Sequence, residues 1–206
     1  MKRSMHGYTL IVLLASVLLA LPGRGQEQKA GAPSAAEMQE MMKKWQEVMT
    51  PGEEHKQLGF LVGSWTTESK MWMNGPDAPP EMTKGTSTMK YVLGGRFVQQ
   101  EMKSTMMGKP WTGMGLLGYD NFKKAYVGSW VDNTATALAT MEGTANADHT
   151  VFTPNGKMDD PTTGEKDKPV QYVWRIVDKK THIFEIFDPS IKSGNTKVFE
   201  ITYKKK

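Results

Sequence analysis

Residues 93–132 read LGGRFVQQEM, KSTMMGKP, WTGMGLLGYD, NFKK and AYVGSWVD. Three segments that alternate in character are separated by turn formers, Gly108-Lys109-Pro110 first and Asn121-Phe122-Lys123-Lys124 second. Period-two alternation between such punctuation is the pattern of antiparallel strands joined by short hairpins. The stretch predicts a three-stranded meander.

Working outward, the same reading predicts strands at 64–73, 83–93, 96–103, 111–120, 125–132, 136–145, 150–154, 170–177, 182–187 and 197–203. No helical stretch separates them, so parallel crossovers are excluded and an antiparallel sheet is left. A sheet of that size curls, and closure removes its exposed edges. The expectation is an all-β fold, an up-and-down antiparallel barrel of about ten strands. A β-sandwich with Greek-key crossovers is the alternative, and it needs longer connections. Segment 161–168, rich in charge and turn formers, reads as the longest loop inside the barrel.

Upstream the chain divides into 1–25, 26–52 and 53–206. Met1-Lys2-Arg3, an uncharged run from Tyr8 to Leu21 and the small residues Gly23 and Gly25 describe a secretory signal peptide cut before Gln26, hence a periplasmic or secreted protein. The rival is an uncleaved anchor, but the apolar run is shorter than the ~20 residues a spanning helix needs, so no membrane span is expected after cleavage. Loss of Lys2, Arg3 and Arg24 leaves 23 basic residues against 22 acids, and no basic patch interleaves with aromatics, which argues against nucleic acid as a partner. With no cysteine there is no disulfide, and folding rests on core burial.

Ser34-Ala35-Ala36-Glu37 has capping-box spacing, and Met38, Met41, Met42, Trp45, Val48 and Met49 follow at helical spacing until Pro51-Gly52. This predicts an N-terminal amphipathic helix that covers part of the barrel. Met38, Met41 and Met42 also have the spacing of a thioether copper site, but flexible methionine packed on an apolar face is the reading adopted.

Gly63-x-Trp65, at the head of the first strand, resembles the signature of lipocalins and the wider calycin group, where the tryptophan closes one end of the barrel beneath a basic side chain. Arg96 and Arg175 are the only arginines after residue 25, and their planar fork suits an indole or a carboxylate. Gly63, Trp65, Arg96 and Arg175 are therefore the expected closure set. The ordered series His55 with Leu58, Gly63-x-Trp65, Leu93-Gly94-Gly95-Arg96-Phe97, Glu101, Gly113-x-Gly115, Gly118-Tyr119-Asp120, Tyr126-Val127 and Trp130-x-Asp132 is similar to a family of exported bacterial proteins known only as a domain of unknown function with a lipocalin-like barrel. The resemblance covers about residues 55–203. It implies the fold and a small-molecule cavity, and it carries no catalytic residues.

Alternation groups Phe97, Gln99 and Glu101, then Trp111, Leu117 and Tyr119, then Tyr126, Trp130 and Asp132 as the candidate lumen. Rings with a few carboxylates and amides suit a small, largely apolar ligand. The glycines at 113, 115 and 118 mark sharp bends or places where something large packs. His55, His149 and His182 stand beside no recognisable nucleophile motif and no thiol exists, so a binding protein rather than an enzyme is expected, with no catalytic residues, no metal and no cofactor. His182 is the axial ligand only if haem binds, and is otherwise read as a surface histidine. The alternative function is a ligand-free structural or protein-interaction module of the cell envelope. Cavity volume separates the two: a lumen filled by its own side chains favours the module.

Overall fold

Two hairpin turns set the architecture. The computed structural model describes residues 32–161, 163–191 and 195–206, so the expected signal peptide lies outside the described residues. Between β3 (Phe97–Met106) and β4 (Lys109–Asp120), Met107 and Gly108 both take positive φ, 50° and 74°. A two-residue turn of this kind has the twist that its flanking strands need. Between β4 and β5 (Ala125–Asp132), the Asp120 carboxylate accepts from the amides of Phe122 (2.8 Å) and Lys123 (3.0 Å) and fixes the reversal.

The remaining strands are β1 (Gly63–Met71), β2 (Glu81–Val92), β6 (Ala139–Ala145), β7 (Val151–Asp160), β8 (Glu165–Asp178), β9 (Thr181–Asp188) and β10 (Thr196–Lys205). Every neighbour in sequence is an antiparallel neighbour in space, and β1 pairs with both β2 and β10, so the ten strands form a closed up-and-down barrel. Segment 161–168 is not the longest loop. β7 runs to Asp160 and β8 begins at Glu165, inside that segment, and 72–80, between β1 and β2, is longer. Its charge does not break the strand because alternation persists: Lys168 turns inward, in line with Val170, Tyr172 and Trp174, and its ammonium meets Asp188 at 2.7 Å.

One end of the barrel is closed by α2 (Glu53–Gln57) and a 3₁₀ turn, Leu58–Leu61, whose buried Leu58 and Leu61 join the core. Trp65 lies beneath that turn and donates its indole N–H to the Leu61 carbonyl at 2.8 Å. α1 (Ala35–Met49) starts with the expected capping box, Glu37 N–H to Ser34 Oγ at 3.3 Å and Ser34 N–H to Glu37 Oε2 at 2.7 Å. It does not cover the barrel, however, and none of its residues is buried. Among the described residues its last turn is what is held: Asn121 Nδ2 donates to the carbonyls of Glu47, Val48 and Thr50, and Arg96 donates to that of Met49 at 2.7 Å.

Candidate functional site

Which residues face the lumen follows from the hairpin registers. The Met107–Gly108 turn pairs Met106 with Lys109, so odd positions of β4 share a face with even positions of β3. Val98, Gln100 and Met102 therefore point inward with Trp111, Gly113, Gly115 and Leu117, whereas Phe97, Gln99 and Glu101 point outward. The three outward residues are a correction to the expected lumen. Across the next hairpin Gly113 pairs with Asp132 and Tyr119 with Tyr126, which keeps Tyr126, Trp130 and Asp132 on the inner face. Six of the nine expected residues are thus brought together.

The inner residues are spoken for by the protein itself. Trp130 lies over Gly113 and Gly115, where any Cβ would overlap its indole, and stacks on Trp111 with centroids 5.8 Å apart. Its N–H meets Asp132 at 3.2 Å, and Asp132 also accepts from the Thr134 amide at 2.8 Å. Asp132 therefore needs no arginine. Gly118, on the opposite face, makes room for Phe97. Leu117 packs below the 3₁₀ turn, and Tyr119 meets the rings of His55 and Tyr126 edge-on at 5.9 and 5.0 Å.

The four residues of the expected closure set have different places. Gly63, at φ 145°, opens β1, and Trp65 is buried, but the cation over the indole is Lys205, 5.5 Å from the ring centroid. Arg96 holds α1, as described. Arg175 pairs on the outer wall with Glu185 at 2.9 Å, and Glu185 in turn meets Lys197 at 3.1 Å. β10 ends beside β1, so a lysine on the last strand reaches the tryptophan near the start of the first strand.

A polar belt crosses the middle of the barrel, and of its members only His182 was singled out in the sequence. Gln100 donates to Ser87 Oγ (3.2 Å) and Tyr203 Oη (3.1 Å). His182, 1% exposed, is stacked on Tyr203 (4.2 Å) and capped edge-on by Trp65 (4.5 Å) and Phe60 (5.6 Å). Burial pushes its pKa down to about 3, so the ring is neutral. It is not a surface histidine: Tyr203, Trp65 and Phe60 wall it in. Neither of its nitrogens has a hydrogen-bond partner among the described residues, and the same holds for Thr67 Oγ1 and the indole nitrogens of Trp111 and Trp174. The period-two face that His182 shares with Phe184 and Ile186 is the sequence signal that places it inside.

Among the described residues, two small voids lie within the wall. One, of about 20 Å³, lies under the 3₁₀ turn between Leu117, Met141 and Phe152, and one, of about 30 Å³, lies near the other end between Met71, Met102, Met106 and Trp111. Each has room for a water or two, whereas ligand pockets run to ~300–1,000 Å³. A larger hollow, about 360 Å³, lies on the outer wall over β3, β4 and β5, lined by Leu93, Gln99, Met114, Leu116, Val131 and Leu138. Its signal in the sequence is that β4 is apolar on both faces, WTGMGLLG, which marks a strand whose outer side asks for cover.

The last cluster lies at the closed end. Glu54 of α2 accepts from Tyr126 Oη at 2.5 Å and meets His149 Nε2 at 2.9 Å. The tyrosine hydrogen bond, with help from His149, holds the Glu54 carboxyl below its ordinary range, and burial followed by the Glu54 charge pushes the Tyr126 hydroxyl up. Of the cluster, Tyr126 alone borders a void, the one of about 20 Å³. What the arrangement does is tie α2 to β5 and to the turn before β7.

A closed ten-stranded antiparallel barrel, capped at one end by a short helix and a tryptophan, defines a lipocalin-like protein. The chain belongs to the family described as protein of unknown function (DUF1579), whose model matches residues 50–205. Among curated proteins none matches the sequence. Of solved structures, Rv2717c from M. tuberculosis is 14% identical, with 76% of this chain and 99% of that one covered at a TM-score of 0.55. The S-type phycobiliprotein lyase CPES from Guillardia theta is 8% identical, with 76% and 98% covered at 0.47. The likeness to Rv2717c shows the fold. Among the described residues no helix is long and apolar enough to cross a membrane.

Proposed function

We propose that this chain is an exported protein-interaction module, which works by binding through its outer surface rather than by catalysis or by carrying a molecule in its lumen. One contrast supports the reading. The lumen is filled by Trp111, Trp130, Tyr203 and their neighbours to voids of about 20 and 30 Å³, while the outer wall carries a hollow of about 360 Å³ and a helix whose methionines and tryptophan are all exposed. Apolar surface left outside a folded chain marks a site of association.

A second reading, a small apolar ligand with a polar end in the barrel, is favoured by the unpartnered polar atoms of Thr67, Trp111, Trp174 and His182. Buried groups of this kind cost about 1–3 kcal/mol each when unpaired, which a ligand would recover. Photo-crosslinking in cells from positions 45 and 116, beside titration of an apolar fluorophore into the purified protein, separates the two. Crosslinks to protein at both positions are expected. No crosslink, with saturable fluorophore binding that Trp111→Ala alters, would overturn the interaction reading in favour of the lumen. Export is tested on the same sample: the mature chain is expected to begin near Gln26 by mass spectrometry, following the order of charge, apolar run and small residues at its start. An intact Met1 in the envelope pool would overturn it.

A further inference from the structure

We propose that α1 of one copy seats its apolar face in the outer groove over β3, β4 and β5 of a second copy, and that the second copy returns the contact, giving a two-fold dimer. The inference rests on the reading that the outer wall is the working surface, and it names the partner. The chain displays two apolar surfaces that nothing among the described residues covers. One is convex: Met38, Met41, Met42, Trp45, Val48 and Met49 on α1, exposed by 37–65%. The other is concave: Leu93, Met114, Leu116, Val131 and Leu138, exposed by 37–69%. Adaptable methionines on both sides suit a helix laid into a groove.

Three observations favour a second copy over other occupants. The first is presentation. Asn121 takes up three carbonyls at the C-terminal end of α1 and Arg96 a fourth, so the helix is held by one end while its face stays off its own barrel. A partner then meets a preformed helix, and less ordering entropy is lost on binding. The second is area. Two reciprocal contacts about a two-fold axis bury twice the surface of one helix in one groove, toward the roughly 1,200–2,000 Å² of a standard interface. The third is charge. α1 carries both signs, Glu37, Glu40 and Glu47 with Lys43 and Lys44, and so does the border of the groove, where the outward Lys90 and Lys103 stand with Glu101, opposite Met114, on β2 and β3. A helix that lies on a lipid surface is ordinarily rich in Lys and Arg, and a lipid surface would leave the groove unexplained.

Sedimentation velocity on the chain as recovered from cells, compared with Trp45→Glu and Leu116→Glu, tests the proposal. Both substitutions lie on outward faces, and an unchanged near-ultraviolet circular dichroism spectrum confirms the barrel in each. The expected result is a dimer whose half-association concentration rises at least tenfold in either variant. In pull-downs, immobilised Trp45→Glu protein captures Leu116→Glu protein, because the groove of one and the helix of the other are intact; neither variant captures itself. Association lost in Trp45→Glu and untouched in Leu116→Glu would overturn the helix-in-groove geometry in favour of helix pairing. A monomer that binds vesicles of phosphatidylethanolamine and phosphatidylglycerol through Trp45 would overturn it in favour of a membrane surface. A monomer that binds no vesicles, yet crosslinks to a different protein from positions 45 and 116, would overturn self-association while leaving the interaction reading standing. No crosslink at all would remove both.

Discussion

His182 shows how much one buried residue can set. Its neutral ring is walled in by Tyr203, Trp65 and Phe60, and burial holds its pKa at about 3. An unfolded histidine titrates near ~6.5. Between those values the unfolded chain takes up a proton that the folded chain refuses, so stability falls as pH falls, by about 1.4 kcal/mol per unit of pH for this one group. His182→Phe keeps a flat ring against Tyr203 and removes the titration. In urea unfolding between pH 6 and pH 4 the wild type is expected to lose stability more steeply than the variant by that slope. Parallel curves would show that the ring is hydrated and free to protonate in the folded state. The parity of β9, with His182, Phe184, Ile186 and Asp188 on one face, is the local pattern in which its burial is readable.

At the scale of elements, two tryptophans separate the barrel from what is attached to it. Trp65 is buried at the closed end with its N–H satisfied by Leu61, whereas Trp45 is exposed on α1. Trp65→Ala is expected to cost ~3–5 kcal/mol, the range for a buried aromatic, and Trp45→Ala no more than ~0.5 kcal/mol at protein concentrations that keep the chain monomeric. Equal shifts in urea midpoint at unchanged slope would place α1 in the core. The strand number, the capping box and the end of α1 before Pro51 were all legible, because each is written in local pattern, whereas the place of Trp65 was an expectation from the resemblance to lipocalins. The face of β3 was not legible, since it depends on whether the turn at Met107–Gly108 holds two residues or three, and one residue of slip exchanges Gln99 for Gln100 in the lumen. Nor does amphipathicity say what a helix faces: the stripe of α1 reads the same whether a barrel or a partner covers it. Lys205 over Trp65 joins the last strand to the first, and no local pattern reports a contact of that span.

For the whole molecule, the consequence of a self-filled lumen is that removing a wall residue creates a binding site instead of abolishing one. Gly113 and Gly115 form a floor whose missing Cβ atoms are replaced by the Trp130 indole, and Trp111 forms the facing side. Trp130→Ala leaves a slot of indole shape with the Asp132 carboxylate at its rim, where the N–H of Trp130 is received in the wild type. Apolar cavities of ~150 Å³ in other proteins stay dry and take up benzene-sized molecules. Added indole is therefore expected to stabilise the variant by up to ~2.7 kcal/mol at a hundredfold excess over its dissociation constant. The wild type, with its slot filled, is expected to show no shift. The measurement is the melting temperature of both proteins across an indole titration, with benzene as the analogue lacking the N–H and so the bond to Asp132. Equal stabilisation of wild type and variant would mean that the lumen already accommodates a guest, and would restore a carried small molecule as the purpose of the barrel. A shift confined to Trp130→Ala, larger for indole than for benzene, would establish that the barrel interior serves as a core, leaving the outer wall and α1 to meet other molecules.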